Sequence, residues 1–187
     1  MIPPAMIKII TFISLLSASL ANATPAQILL IRHAEKPDIG NGLSENGLKR
    51  AQELRSYFEN NPAVTKFGTP VAIYAMKPKD AEGSIRPIQT VTPLANDLGL
   101  KIHADYLRED IQSLSHDILS NSDYDGKMVL ICWEHKIIPD IVVALGVNSR
   151  PQDWSDSDFW TVFEINYNNN KASSFKTFSE HVMPGDQ

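Results

Sequence analysis

The chain has 187 residues, a formal net charge of −5, 43% hydrophobic and 21% charged residues, and a single cysteine. That length suits one domain with a substantial core. The acidity argues against nucleic acid or an anionic membrane surface as the main partner, and Cys132 alone excludes an intrachain disulfide.

The first segment in chain order stands apart from the rest. Lys8 precedes the apolar run "IITFISLLSASL" (9–20), and "ANA" (21–23) follows as a small-x-small site. This pattern reads as a secretory signal peptide over residues 1–23, whose removal leaves a mature domain of residues 24–187 that is periplasmic or secreted. The alternative is a membrane anchor. The run is shorter than the roughly 20 apolar residues of a spanning helix and is interrupted by Ser and Thr, so no stable membrane insertion is expected.

Three apolar runs then have strand character: "QILLIR" (27–32), "VAIYAM" (71–76) and "KMVLICW" (127–133). Continuous runs of this length suit strands covered on both faces. Between them lie helical patterns. From Ser44, a plausible N-cap, Leu48, Ala51, Leu54, Arg55 and Phe58 recur at helical spacing. A second helix is predicted over "RPIQTVTPLANDLG" (86–99), stopping at Gly99 and kinked or restarted at Pro93. The patterns "EDIQSLSHDIL" (109–119) and "IPDIVVALG" (138–146) complete the set. The tail, residues 159–178, reads as two strands around an Asn-rich turn. Strand alternating with helix predicts an α/β fold: a three-layer sandwich with a mixed, mostly parallel sheet flanked by helices and a C-terminal edge hairpin.

In such folds ligands bind beyond the carboxyl ends of the strands. Three strand ends carry ionisable groups there: Arg32-His33 with Glu35 and Lys36, then Arg86 ahead of a helix, then Glu134-His135-Lys136. A single Arg or His at a strand end is more often a local ion pair or hydrogen bond. Three strand ends repeating the pattern point instead to one shared site. Two guanidinium forks and two imidazoles suit a phosphoryl group, and a neutral imidazole is a competent nucleophile. A zinc site is the main rival. It is disfavoured because Arg32 and Lys136 sit beside the candidate ligands His33 and His135 and would repel a dication. Glu35 and Lys36 read as a rim pair, and Cys132 as a small buried hydrophobe. In "MKPKDAEGS" (76–84), Lys77 and Lys79 either meet a second anionic group or are simply solvated.

The ordered set "RHAEK", "LSENGLKRAQ", "RPIQT" and "WEHKIIPDIVVALG" resembles the histidine phosphatase superfamily, specifically its phosphoglycerate-mutase-like branch. The likeness covers Ile28 to Gly146. It implies His33 as a nucleophile that becomes phosphohistidine, with Arg32, Arg86 and His135 holding the phosphoryl group and no metal or other cofactor required. By position it implies Glu109 as the proton donor to the leaving oxygen, with Asp110 and Glu134 as alternative acids. The plain alternative for Glu109 is a charge favourable to the helix dipole. Ala34 replaces a common Gly, and Trp133-Glu134 stand where many members have smaller residues, which brings a carboxylate to the pocket rim. The implied activity is metal-independent hydrolysis of a small-molecule phosphate ester. Two alternatives remain: a non-catalytic phosphate-binding module, and mutase-type phosphotransfer. The loops offer little material for the lid that a mutase needs to exclude water.

Overall fold

The computed structural model describes residues 24–186, so the expected signal peptide lies outside the described residues. The strands are β1 (Gln27–Arg32), β2 (Ala72–Ala75), β3 (Ile102–His103), β4 (Met128–Trp133), β5 (Thr161–Asn168) and β6 (Lys171–Ser179). The helices are α1 (Glu45–Asn60), α2 (Arg86–Leu98), α3 (Ile111–Ser120) and α4 (Ile138–Ala144). The strands form one sheet in the order β3-β2-β4-β1-β5-β6. β1 pairs parallel with β4, β4 with β2, and β2 with β3, while β5 and β6 run antiparallel. The expected mixed sheet and edge hairpin are both present.

Alternation along each strand explains the layering. Ile28 and Leu30 of β1 join Val129 and Ile131 of β4 on one face, packed with Leu114 and Ile118 of α3 and Ile141 and Val142 of α4. Leu29 and Ile31 join Leu130 and Cys132 on the other face, under Leu54 and Phe58 of α1 and Val91, Leu94 and Ala95 of α2. A strand apolar on both faces therefore lies at the centre of two cores. Cys132 is fully buried in the second, and desolvation pushes its thiol pKa up. The β5–β6 turn places Asn169 and Asn170 at φ 50° and 61°, the left-handed conformation of a tight hairpin turn, which asparagine tolerates.

Two helices differ from expectation. Leu48 is 52% exposed, because α1 turns Gly47, Arg50, Ala51, Leu54 and Phe58 inward instead. Arg55 pairs at the surface with Asp97 of α2. Of the two expectations for Pro93, the restart does not occur, since α2 continues through it to Leu98 as one helix. One absent N–H is outweighed there by the packing of Val91, Leu94 and Ala95 on the sheet. Among the described residues no helix is long and apolar enough to cross a membrane.

Candidate active site

The parallel register places Arg32 opposite Trp133, so β1 and β4 end side by side and their following loops leave from one edge. His33 continues the pairing by donating its backbone N–H to the Trp133 carbonyl at 3.1 Å. Its side chain is buried at 5% exposure. Nδ1 lies 2.8 Å from the Ala34 carbonyl oxygen. A carbonyl only accepts, so Nδ1 carries the hydrogen and Nε2 keeps its lone pair. Burial foremost, aided by the neighbouring Arg32, Arg86 and His135 and opposed by the Ala34 hydrogen bond, pulls the imidazole pKa down to about 4. The ring is therefore neutral at ordinary pH, with two guanidiniums and a second imidazole near it.

The loop carrying His33 is held from two sides. The Ala34 N–H donates to Thr90 Oγ1 at 2.9 Å, and that hydroxyl donates to the Arg86 carbonyl one helical turn back. Thr90 thereby ties the first turn of α2 to the loop that carries His33. On the other side Ser44 caps α1 as expected, its Oγ accepting from the Gly47 N–H at 3.1 Å. Gly47 packs so closely on the loop that a Cβ there would stand 2.3 Å from the Glu35 carbonyl oxygen. Glu35 does not pair with Lys36. It accepts from Arg50 at 2.9 Å, and Arg50 also binds Glu180 at 2.6 Å and Asp186 at 2.7 Å. Arg50 is buried at 3% exposure and needs carboxylates, while Lys36 is exposed and hydrated. The three carboxylates hold Arg50 firmly charged, whereas burial and the adjacent Asp186 and Glu35 push Glu180 upward.

Arg32 is 3% exposed. Its Nη1 donates to the carbonyls of Ser155, Asp156 and Asp158 at 3.1, 2.9 and 2.7 Å, and its guanidinium carbon lies 3.8 Å from the Phe159 ring centre. Desolvation lowers its pKa to about 10. Arg86 donates through Nε to the Gly42 carbonyl at 3.0 Å and through Nη2 to the Gly40 carbonyl at 2.6 Å. His135 lies between two carboxylates. Nε2 is 2.6 Å from Asp156 Oδ1, and Nδ1 is 2.9 Å from Glu134 Oε1 but out of line for a hydrogen bond. Hydrogen bonding to His135, with Lys136 nearby, holds the Asp156 carboxyl below its ordinary range.

The three candidate acids differ in setting. Glu109 is 71% exposed and bound only to Arg108, at 2.6 Å. Glu134 is 18% exposed, accepts from Arg108 through Oε2, and accepts from the Lys136 N–H through Oε1. The Asp110 carboxylate accepts from the Leu107 N–H at 2.8 Å and closes the turn before α3. Thr90, Arg50, Asp156 and Phe159 were not singled out from the sequence. Of these only Thr90 left a signal there, one helical turn after Arg86 in "RPIQT". Among the described residues no three His, Cys, Asp or Glu side chains converge as a metal-ligand set.

A parallel β1-β4-β2 core with helices on both faces is an α/β fold shared with solved histidine phosphatase structures. Solved structures bear this out. The chain superposes on the protein histidine phosphatase SixA complexed with tungstate at a TM-score of 0.58 and 16% identity, over 82% of this chain and 97% of that one. It superposes on phosphoglycerate mutase from Bacillus anthracis at a TM-score of 0.52 and 11% identity, over 85% and 94% of the two chains. No protein-family model and no curated protein sequence matches.

Proposed function

We propose that the protein is a metal-independent phosphomonoesterase acting through phospho-His33. The observation that carries this reading is a buried imidazole, neutral by environment, with Nε2 free and Arg32, Arg86 and His135 around it. Nε2 attacks phosphorus and the ester P–O bond breaks. Arg32 and Arg86 offset charge on the equatorial oxygens, and His135 donates a hydrogen bond in place of its present one to Asp156. Glu109, with one partner and an open position at the rim, gives its proton to the departing oxygen. Glu134, bonded through both oxygens, holds Arg108 and the Lys136 N–H instead. Water then attacks the phosphohistidine, passing a proton to the Glu109 carboxylate as the N–P bond breaks, which releases phosphate and restores both the neutral ring and the acid. The tungstate held by SixA, a tetrahedral oxyanion shaped like phosphate, supports a phosphoryl group as the ligand of this fold.

The test is hydrolysis of an aryl phosphate by residues 24–187, with and without chelator, beside His33→Ala. Chelator-resistant turnover that the variant loses is expected. Turnover abolished by chelator, or retained by His33→Ala, overturns the reading. The proposal includes export: N-terminal sequencing of the mature protein is expected to begin at Thr24.

A further inference from the structure

A second cleft, of about 320 Å³, adjoins the phosphoryl pocket at the carboxyl end of β2. The loop after β2 contributes Lys77, Lys79 and Ser84, and the loop before α3 contributes Leu107, Arg108 and Glu109. Close backbone contacts anchor both lysines. The Lys77 N–H donates to the Tyr106 carbonyl at 2.8 Å, which ties the two loops together across the cleft. Lys79 sits in a turn wound so tightly that a Cβ on Gly83 would stand 2.7 Å from the Lys79 nitrogen and 3.0 Å from the Asp80 carbonyl oxygen. Only glycine permits that winding.

The charges in the cleft do not cancel. Arg108 is offset by Glu109 and Glu134, at 2.6 and 2.9 Å. Asp80, on the same loop, accepts from the Glu82 N–H and closes its own turn. Neither Lys77 nor Lys79 has a carboxylate within ion-pair distance among the described residues, and both are exposed. Ser84 in the cleft wall accepts from Arg86 Nη1 at 3.4 Å, which places the cleft beside the arginine proposed to hold the phosphoryl group. Met76 and the 38%-exposed Leu107 give it an apolar wall.

Resting on the phosphatase reading above, we propose that Lys77 and Lys79 form a specificity subsite for a second anionic group of the substrate. The substrate class is then a small phosphate ester whose other end carries a phosphate or a carboxylate, with a short carbon spacer against Met76 and Leu107. Two ammonium groups on flexible stems suit this role. They attract an anion as point charges without demanding the planar match of a guanidinium fork. In a cleft with apolar walls they also raise the local concentration of doubly anionic esters, and salt weakens that effect.

The probes are hexyl phosphate, hexanediol bisphosphate and phosphooxyhexanoate, which share a spacer and differ in the distal group. Phosphate release is expected to show kcat/KM at least about tenfold higher for the two doubly anionic esters, each charge contact contributing of the order of 1 kcal/mol. That ratio collapses towards one in the Lys77→Gln/Lys79→Gln double variant and falls with added salt. A bisphosphate preference without a carboxylate preference identifies the second group as phosphate. Equal kcat/KM for all three, or a preference that survives in the double variant, overturns the subsite while leaving His33-dependent hydrolysis intact. If none of the esters turns over, the phosphatase reading has failed separately. Calorimetric binding of the same three probes then decides the subsite by the same ratio, equal affinities refuting it.

Discussion

The buried imidazole of His33 makes a quantitative demand on folding. Its ordinary pKa is 6.5 and its folded value is about 4, so in the folded state the proton is refused while the unfolded chain accepts it. The sign follows directly. A depressed folded pKa contributes stability that is fully present above pH 6.5 and is lost as pH falls towards 4. Integrating the difference in bound protons gives a loss of about 2 kcal/mol near pH ~5 and about 3 kcal/mol near pH ~4, relative to neutral pH. The His33→Asn variant keeps a polar side chain but has nothing to protonate. Urea unfolding of both proteins across this range therefore gives curves that converge as pH falls, by about 2–3 kcal/mol in difference. The wild type loses its advantage and the variant does not follow. Parallel curves would refute the depressed pKa, and with it the claim that Nε2 is a free nucleophile because of burial.

Three other outcomes follow from the same contacts. Replacing Arg50 by Met leaves Glu35, Glu180 and Asp186 without their shared cation, and urea unfolding at neutral pH is expected to show a loss of about 3–5 kcal/mol. The Gly47→Ala variant must push α1 off the Glu35 carbonyl, so it is expected to lower stability by about 1–3 kcal/mol in the same assay and to reduce kcat through the displaced His33 loop. Asp156→Asn removes a carboxylate that competes with phosphate for His135. Asp156 is solvent-exposed, so on the phosphatase reading KM or the inhibition constant of inorganic phosphate is expected to fall only modestly, by up to about fivefold. A rise in either would show that Asp156 positions His135 rather than competing for it.

Several elements of the fold are written locally. The apolar strand runs, Ser44 as a cap, Gly99 as a stop and the Asn-rich hairpin turn each follow from a few neighbouring residues, and each is where the pattern places it. The inward face of α1 is not local. Leu48 looks like a core residue by hydropathy, yet Gly47 and Arg50 face inward because one fits against the Glu35 backbone and the other meets carboxylates far along the chain. The distances in sequence explain why this was not legible: Glu180 and Asp186 lie 130 and 136 residues from Arg50.

The same division runs through the site. His33, Arg32, Arg86 and His135 could be named from sequence because strands that end in ionisable groups, each followed by a helix, are short-range patterns, and parallel pairing sends them to one edge. What each group touches was decided only by tertiary structure. The loop at residues 155–158 closes over Arg32 and sets Asp156 against His135. Burial makes the His33 ring neutral. The β2 and β3 loops meet so that Lys77 and Lys79 stand in one cleft with Arg108. Residue types and their order specify which chemistry is available, because a side chain's functional groups are local. Partners, exposure and proton affinity are properties of a surrounding volume, and segments far apart in the chain fill that volume only once it has folded.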